Sequence, residues 1–174
     1  MKKTIRLWQF VGFAVTSFGG TLLHFLYEWT GKSIFVAPFS GVNESTFEHM
    51  KILFFPMLVF AIVQSFFFRW RDDFWWVKLK GILLGLALIP VLFYTYNGVI
   101  GPSPDFINIA IFFISAAAAY IYETRLLLSR KKTSLNPAIA VSLIFTIALL
   151  FVIFTFATPN INIFKDPLSG QIGM

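Results

Sequence analysis

Five stretches of this chain run for roughly 17 residues or more with scarcely a charge, and nothing else in the sequence limits its fold so strongly. They lie at about 7–29, 46–68, 77–96, 106–122 and 137–157. An apolar layer about 30 Å thick is crossed by roughly 20 helical residues. Inside that layer each backbone N–H and C=O must find its partner within the protein, which a helix achieves by itself. The pattern predicts an all-α fold: an integral membrane bundle of five transmembrane helices forming one domain over residues 1–174. Composition agrees, since 57% of the residues are hydrophobic and only 13% charged, against about 45–50% apolar in soluble domains.

Lys2, Lys3 and Arg6 precede the first stretch as they would in a secretion signal. That stretch is too long for one, however, and ends in "HFLYEWTG" without a small-residue cleavage site, so it is read as a retained span. With no cysteine in the chain, disulfide and thiolate chemistry are excluded. The net charge of +6 has a membrane cause. Of the 14 lysines and arginines, all but Lys32, Lys51 and Lys165 fall on the side of the N-terminus, among them Arg69, Arg71, Lys78, Lys80, Arg125, Arg130, Lys131 and Lys132. The positive-inside rule then predicts a cytoplasmic-membrane protein with its N-terminus inside and its C-terminus outside. The bilayer is thereby the expected partner and nucleic acid is not; a homo-oligomer or a partner membrane subunit is a further expectation. Trp8, Trp29, Trp70, Trp75, Trp76, Tyr94 and Tyr96 fall at span ends, where amphipathic rings settle.

The first outer loop, "TGKSIFVAPFSGVNES", is apolar enough in its middle to lie in the interface or dip back toward the bundle. The outer tail, 159–174, has turn chemistry at Asp166-Pro167 and Ser169-Gly170 and is expected to hold no helix. Neither an internal repeat nor a glycine-rich phosphate loop is visible.

Ionisable groups at membrane depth are costly and suggest function. His24, Glu28, Glu44, Glu48 and His49 all fall toward one membrane face, whereas Glu123 falls on the other, where it and Arg125 read as interfacial anchors. Ser17, Thr21, His24 and Glu28 recur at helical spacing, which places them on one stripe expected to face the bundle interior or a water-filled cavity, beside Gly19 and Gly20, which admit a close neighbour. His24 can bind metal or carry a proton with Glu28 orienting it; the plainer reading has His24 bonded to a backbone carbonyl and Glu28 reaching the headgroups. Ser45-Thr46-Phe47-Glu48 matches a capping box, in which Glu48 bonds back to the cap amide. That reading leaves Asn43, Glu44 and His49 unexplained.

His24, Glu28, Asn43, Glu44, Glu48 and His49 therefore form the candidate polar site, a set able to hold Zn²⁺ or another first-row divalent metal although its spacing is not diagnostic. A metal-free proton or substrate site and purely structural polarity are the alternatives. Ser17, Thr21, Tyr94, Asn97, Asp105 and Asn108 are expected to line an outward cavity, with Pro90 kinking the third helix below. For Tyr94 and Tyr96 interfacial anchoring is the plainer role. Gln64 and Ser65 read as helix–helix hydrogen bonds, and Ser115 to Ala119 as a small-residue packing surface.

At "VNESTFEHMK" the residues resemble an uncharacterised family of small multi-pass bacterial membrane proteins with a V-N-E-S-x-aromatic-E-H-x-K stretch before the second span. The likeness extends to His24 and Glu28 in "HFLYEW" and to the "DPLSGQIG" tail, and so covers most of the chain. The resemblance implies that Asn43, Glu44, Glu48 and His49 belong together; it implies no activity. Three function classes follow: an enzyme or metal protein with an outward His/Glu site, a solute-binding subunit of a transporter, and an assembly subunit with no site.

Overall fold

A computed structural model describes residues 2–129 and 132–173. Its helices are α1 (Lys2–Trp29), α2 (Thr46–Phe67), α3 (Phe74–Val99), α4 (Asp105–Leu128) and α5 (Pro137–Phe156). All five are long and apolar enough to cross a membrane, and among the described residues there is no strand. Most helices outrun the apolar windows because polar end residues remain helical: α1 begins at Lys2, and α4 continues through Glu123 and Arg125.

The first four helices close a ring, each packed on the next and α4 on α1, while α5 lies outside against α3 and part of α2. Successive helices run antiparallel, so the C-terminal ends of α1, α3 and α5 share one end of the bundle with the N-terminal ends of α2 and α4. We refer to this as the site end. The centre belongs to α2, whose most apolar window is 61% buried against 17% for α1. Leu53, Phe54, Met57 and Ala61 are wholly buried there, and Phe54 meets Phe55 and Phe151 edge-on or tilted. Pro56 sits inside α2 and Pro90 inside α3; neighbouring helices make such prolines tolerable in a membrane bundle.

Glycine sets how closely α1 can approach. A Cβ on Gly12 would lie 2.5 Å from the Tyr120 ring and 2.6 Å from that of Phe60, and one on Gly20 would strike Phe112. The buried face of α1 is accordingly Ile5, Gln9, Gly12, Thr16 and Gly20. Ser17, Thr21, His24 and Glu28 run along the edge of this face; Thr21 and His24 open onto a cavity between α1, α2 and α4 rather than into the packed interior, and Glu28 is exposed.

Several charges expected at the two membrane faces lie inside the protein. Lys51 is wholly buried, its Nζ 2.6 Å from Glu48 and donating to the Ala37 carbonyl (2.8 Å) and Thr155 Oγ1 (3.1 Å). Those bonds fasten the loop between α1 and α2, and α5, onto α2. The loop folds back in two turns over 33–40, burying Ala37 and Ser40 while Phe35 projects outward. At the opposite end Lys78 and Glu123 form a wholly buried ion pair joining α3 to α4, with the Lys78 ammonium 5.0 Å from the Tyr120 ring centroid. Glu123 is therefore an interior residue rather than an interfacial anchor. Nearby, Arg71 grips Asp73 with two hydrogen bonds and donates to the last carbonyls of α4 at Leu126 and Leu127. Arg130 and Lys131, counted among the basic residues, lie outside the described residues.

Two smaller expectations also change. The tail contains a single 3₁₀ turn, Asn162–Phe164, because Phe164 is buried against Phe47 and Phe154 and its backbone must close locally. Gln64 is buried with neither amide atom hydrogen-bonded among the described residues, and Ser65 bonds only to Ile62 of its own helix.

Candidate functional site

The segment from Gly41 to Lys51 is a junction in which each polar side chain has a separate task. Gly41 N–H donates to the Leu23 carbonyl, which places the segment against the end of α1. Asn43 accepts from the Ser45 amide through Oδ1 and donates through Nδ2 to the Gly173 carbonyl, both at 2.9 Å, so its amide ties α2 to the tail. Ser45 caps α2, its Oγ accepting from Glu48 N–H at 3.4 Å. Glu48 departs from the reciprocal capping box: its carboxylate takes the Val42 amide (2.9 Å) and the buried Lys51 ammonium. With the Ser45 amide already bonded to Asn43, Glu48 is free to reach one turn further back.

Glu44, His24 and His49 converge instead. The His24 and His49 Nε2 atoms lie 3.5 and 3.6 Å from the two Glu44 carboxylate oxygens, and the two imidazole centroids are 5.8 Å apart. One ligand atom from each residue falls within 4.8 Å of the others. The His49 Nδ1 is 3.0 Å from the Ser45 carbonyl. A carbonyl only accepts, so Nδ1 carries the proton, and in an uncharged ring Nε2 presents a bare lone pair to Glu44. Such an arrangement, a ligating nitrogen set by a backbone bond on the other nitrogen, is the usual support of a metal-bound histidine.

The other predicted residues are distributed around this cluster. Glu28 turns outward to an exposed ion pair with Lys32 at 3.5 Å, and Glu48 serves Lys51. A cavity of about 430 Å³ opens beside the cluster between α1, α2 and α4. Thr21, His24, Phe25, Glu44, His49, Asp105, Asn108, Ile109, Phe112 and Phe113 line it, and Leu168 of the tail covers part of it. Of the expected lining, Thr21, Asp105 and Asn108 are there. Ser17 is not a wall residue; its carbonyl accepts the Thr21 hydroxyl. Tyr94 faces a separate, open recess beneath the tail. Asn97 pins the α3–α4 loop, accepting from Ser103 N–H, while the Ser103 hydroxyl bonds to Asn108.

Sequence reasoning missed Lys51 and Leu168. For Lys51 the signal was present, because a lysine three residues after a glutamate in a helix is a natural ion pair. For Leu168 there was none: only folding of the tail brings it to the cavity. Asp166 shapes that tail, its carboxylate accepting from Leu168 N–H and the Ser169 hydroxyl.

Neither the curated proteins nor the solved structures offer a match to this chain. A family model described as a family of unknown function (DUF6512) matches residues 1–174, and the chain belongs to that family.

Proposed function

We propose that this protein is a metal-dependent membrane protein, with His24, Glu44 and His49 holding a divalent first-row cation, Zn²⁺ foremost, at the wall of the 430 Å³ cavity. The observation that carries the reading is the pair of Nε2–carboxylate separations, 3.5 and 3.6 Å. They exceed ordinary N–H···O distances. Each, to its own Glu44 oxygen, is close to the roughly 3.3 Å that separates two ligands of a tetrahedral ion bound at about 2.0–2.1 Å, and with one ligand atom taken from each residue the three lie within 4.8 Å of one another. Two imidazoles and one carboxylate are also a zinc donor set, and three protein ligands leave a fourth position for water or substrate, as in catalytic rather than structural zinc sites. Bound there, the cation supplies Lewis-acid activation of a water or of a carbonyl or phosphoryl oxygen.

The positive-inside count supports a location in the cytoplasmic membrane with the site end outside. Lys51, one of only three basic residues assigned outside, is neutralised by Glu48, which leaves the bias intact.

Metal content after detergent purification without chelator tests the reading. The wild type is expected to retain close to one zinc per chain, and the His24→Ala/His49→Ala double variant essentially none while remaining monodisperse. Equal, negligible metal in both preparations, even after zinc is added back, refutes it.

A further inference from the structure

The cavity beside the cluster has two unlike ends. One is polar, lined by the His24–Glu44–His49 cluster and, from the first turn of α4, Asp105. The remainder is apolar, and its walls continue onto the outside of the bundle: Phe25 is 46% exposed, Ile109 57% and Phe113 37%. These residues sit on α1 and α4, which by length and composition cross the apolar layer, so their outer surfaces face lipid. The seam between the two helices is tight where Gly20 meets Phe112 and Thr16 bonds to Tyr120. Towards the site end it widens into the cavity. A soluble solute gains nothing from walls that run into the bilayer, whereas a molecule already resident there enters sideways without crossing water.

From this geometry we infer that the cavity holds a zwitterionic membrane phospholipid, its phosphate at the metal position and its ammonium toward Asp105, with an acyl chain between Phe25, Ile109 and Phe113. The headgroup placement rests on the metal reading above, since without a cation the charged groups lining the cavity include the Glu44 and Asp105 carboxylates and no lysine or arginine, which disfavours phosphate. Asp105 makes no ion pair or side-chain hydrogen bond among the described residues, so its charge is available to an ammonium group. A volume of about 430 Å³ lies within the roughly 300–1,000 Å³ range of small-molecule sites. It accommodates a headgroup and the upper part of a chain while the rest remains in the bilayer.

The test is photocrosslinking in vesicles containing phosphatidylethanolamine with a diazirine on its acyl chain, read by peptide mass spectrometry on zinc-loaded and chelator-treated protein whose zinc is measured in parallel. In the zinc-loaded protein, labelling at Phe25, Ile109 and Phe113 is expected to exceed that at Phe10 and Phe145, exposed phenylalanines outside the cavity, by several-fold. Thr21→Trp and, independently, Ile109→Trp place an indole in the cavity and are expected to abolish the excess at the remaining positions while zinc stays bound. Equal labelling at all exposed positions in protein that carries zinc overturns the inference and leaves only annular lipid. An excess that survives both blocking variants overturns it as well. An excess unchanged by removal of zinc overturns the headgroup placement. Absence of zinc from every preparation instead refutes the metal reading, and the headgroup placement with it.

Discussion

At the scale of single residues, buried charge is the main stabilising risk in this protein. Lys78 and Glu123 are both wholly buried, and removing one partner strands the other in a low-dielectric interior. Glu123→Leu is expected to cost about 3–5 kcal/mol, and the double variant Lys78→Met/Glu123→Leu to recover most of it. Denaturant unfolding in detergent micelles compares the two, and a double variant as unstable as the single one argues against the pair. Lys51 is better supported, with a carboxylate, a carbonyl and a hydroxyl around its ammonium. The proposed metal site carries its own pH prediction. Protons compete with zinc for the imidazoles, so bound zinc is expected to decline as buffer is taken from about pH 8 to about pH 5, followed by dialysis and metal analysis. Retention independent of pH over that range argues against His24 and His49 as ligands.

At the scale of elements, the apolar windows identified all five helices because span length and backbone satisfaction leave a membrane segment few choices. The faces of those helices were harder to read. In a soluble helix polarity marks the outside, but in a bilayer both lipid and core are apolar, and the buried face of α1 mixes one large apolar residue, Ile5, with Gln9, Gly12, Thr16 and Gly20. The Ser17–Glu28 stripe lies one position off the packed face of Thr16 and Gly20, with Thr21 and His24 on the cavity wall. The six-residue site was legible as a neighbourhood, since Asn43, Glu44, Glu48 and His49 do share one junction. Their division of labour was not, because it depends on Lys51 and Gly173, whose proximity only the tertiary fold establishes. Close approach of α1 offers a direct check. Gly12→Ala is expected to destabilise by about 1–3 kcal/mol through contact with Phe60 and Tyr120. Gly98→Ala in α3 meets nothing within 4 Å and is expected to be neutral or to stabilise by up to ~1 kcal/mol. Thermal unfolding of both in the same detergent measures the contrast.

At the scale of the whole molecule, the absence of cysteine makes topology measurable against no background. Phe35→Cys, in the exposed part of the first outer loop, is expected to react with a membrane-impermeant maleimide in intact cells. Asp72→Cys, in the loop between α2 and α3, is expected to react only after lysis. The reverse pattern inverts the proposed orientation and moves the site to the cytoplasmic face.

The hydrogen bond from Asn43 to Gly173 joins residues 130 apart in the chain. During synthesis His24, Glu44 and His49 emerge early, from α1, the loop after it and the first turn of α2, whereas the tail that brings Leu168 to the cavity is made only after three more helices have entered the bilayer. At about 5–20 residues per second that interval lasts several seconds or more. The nascent protein thus passes through a stage in which His24, Glu44 and His49 are already made while Leu168 has not yet reached the cavity beside them.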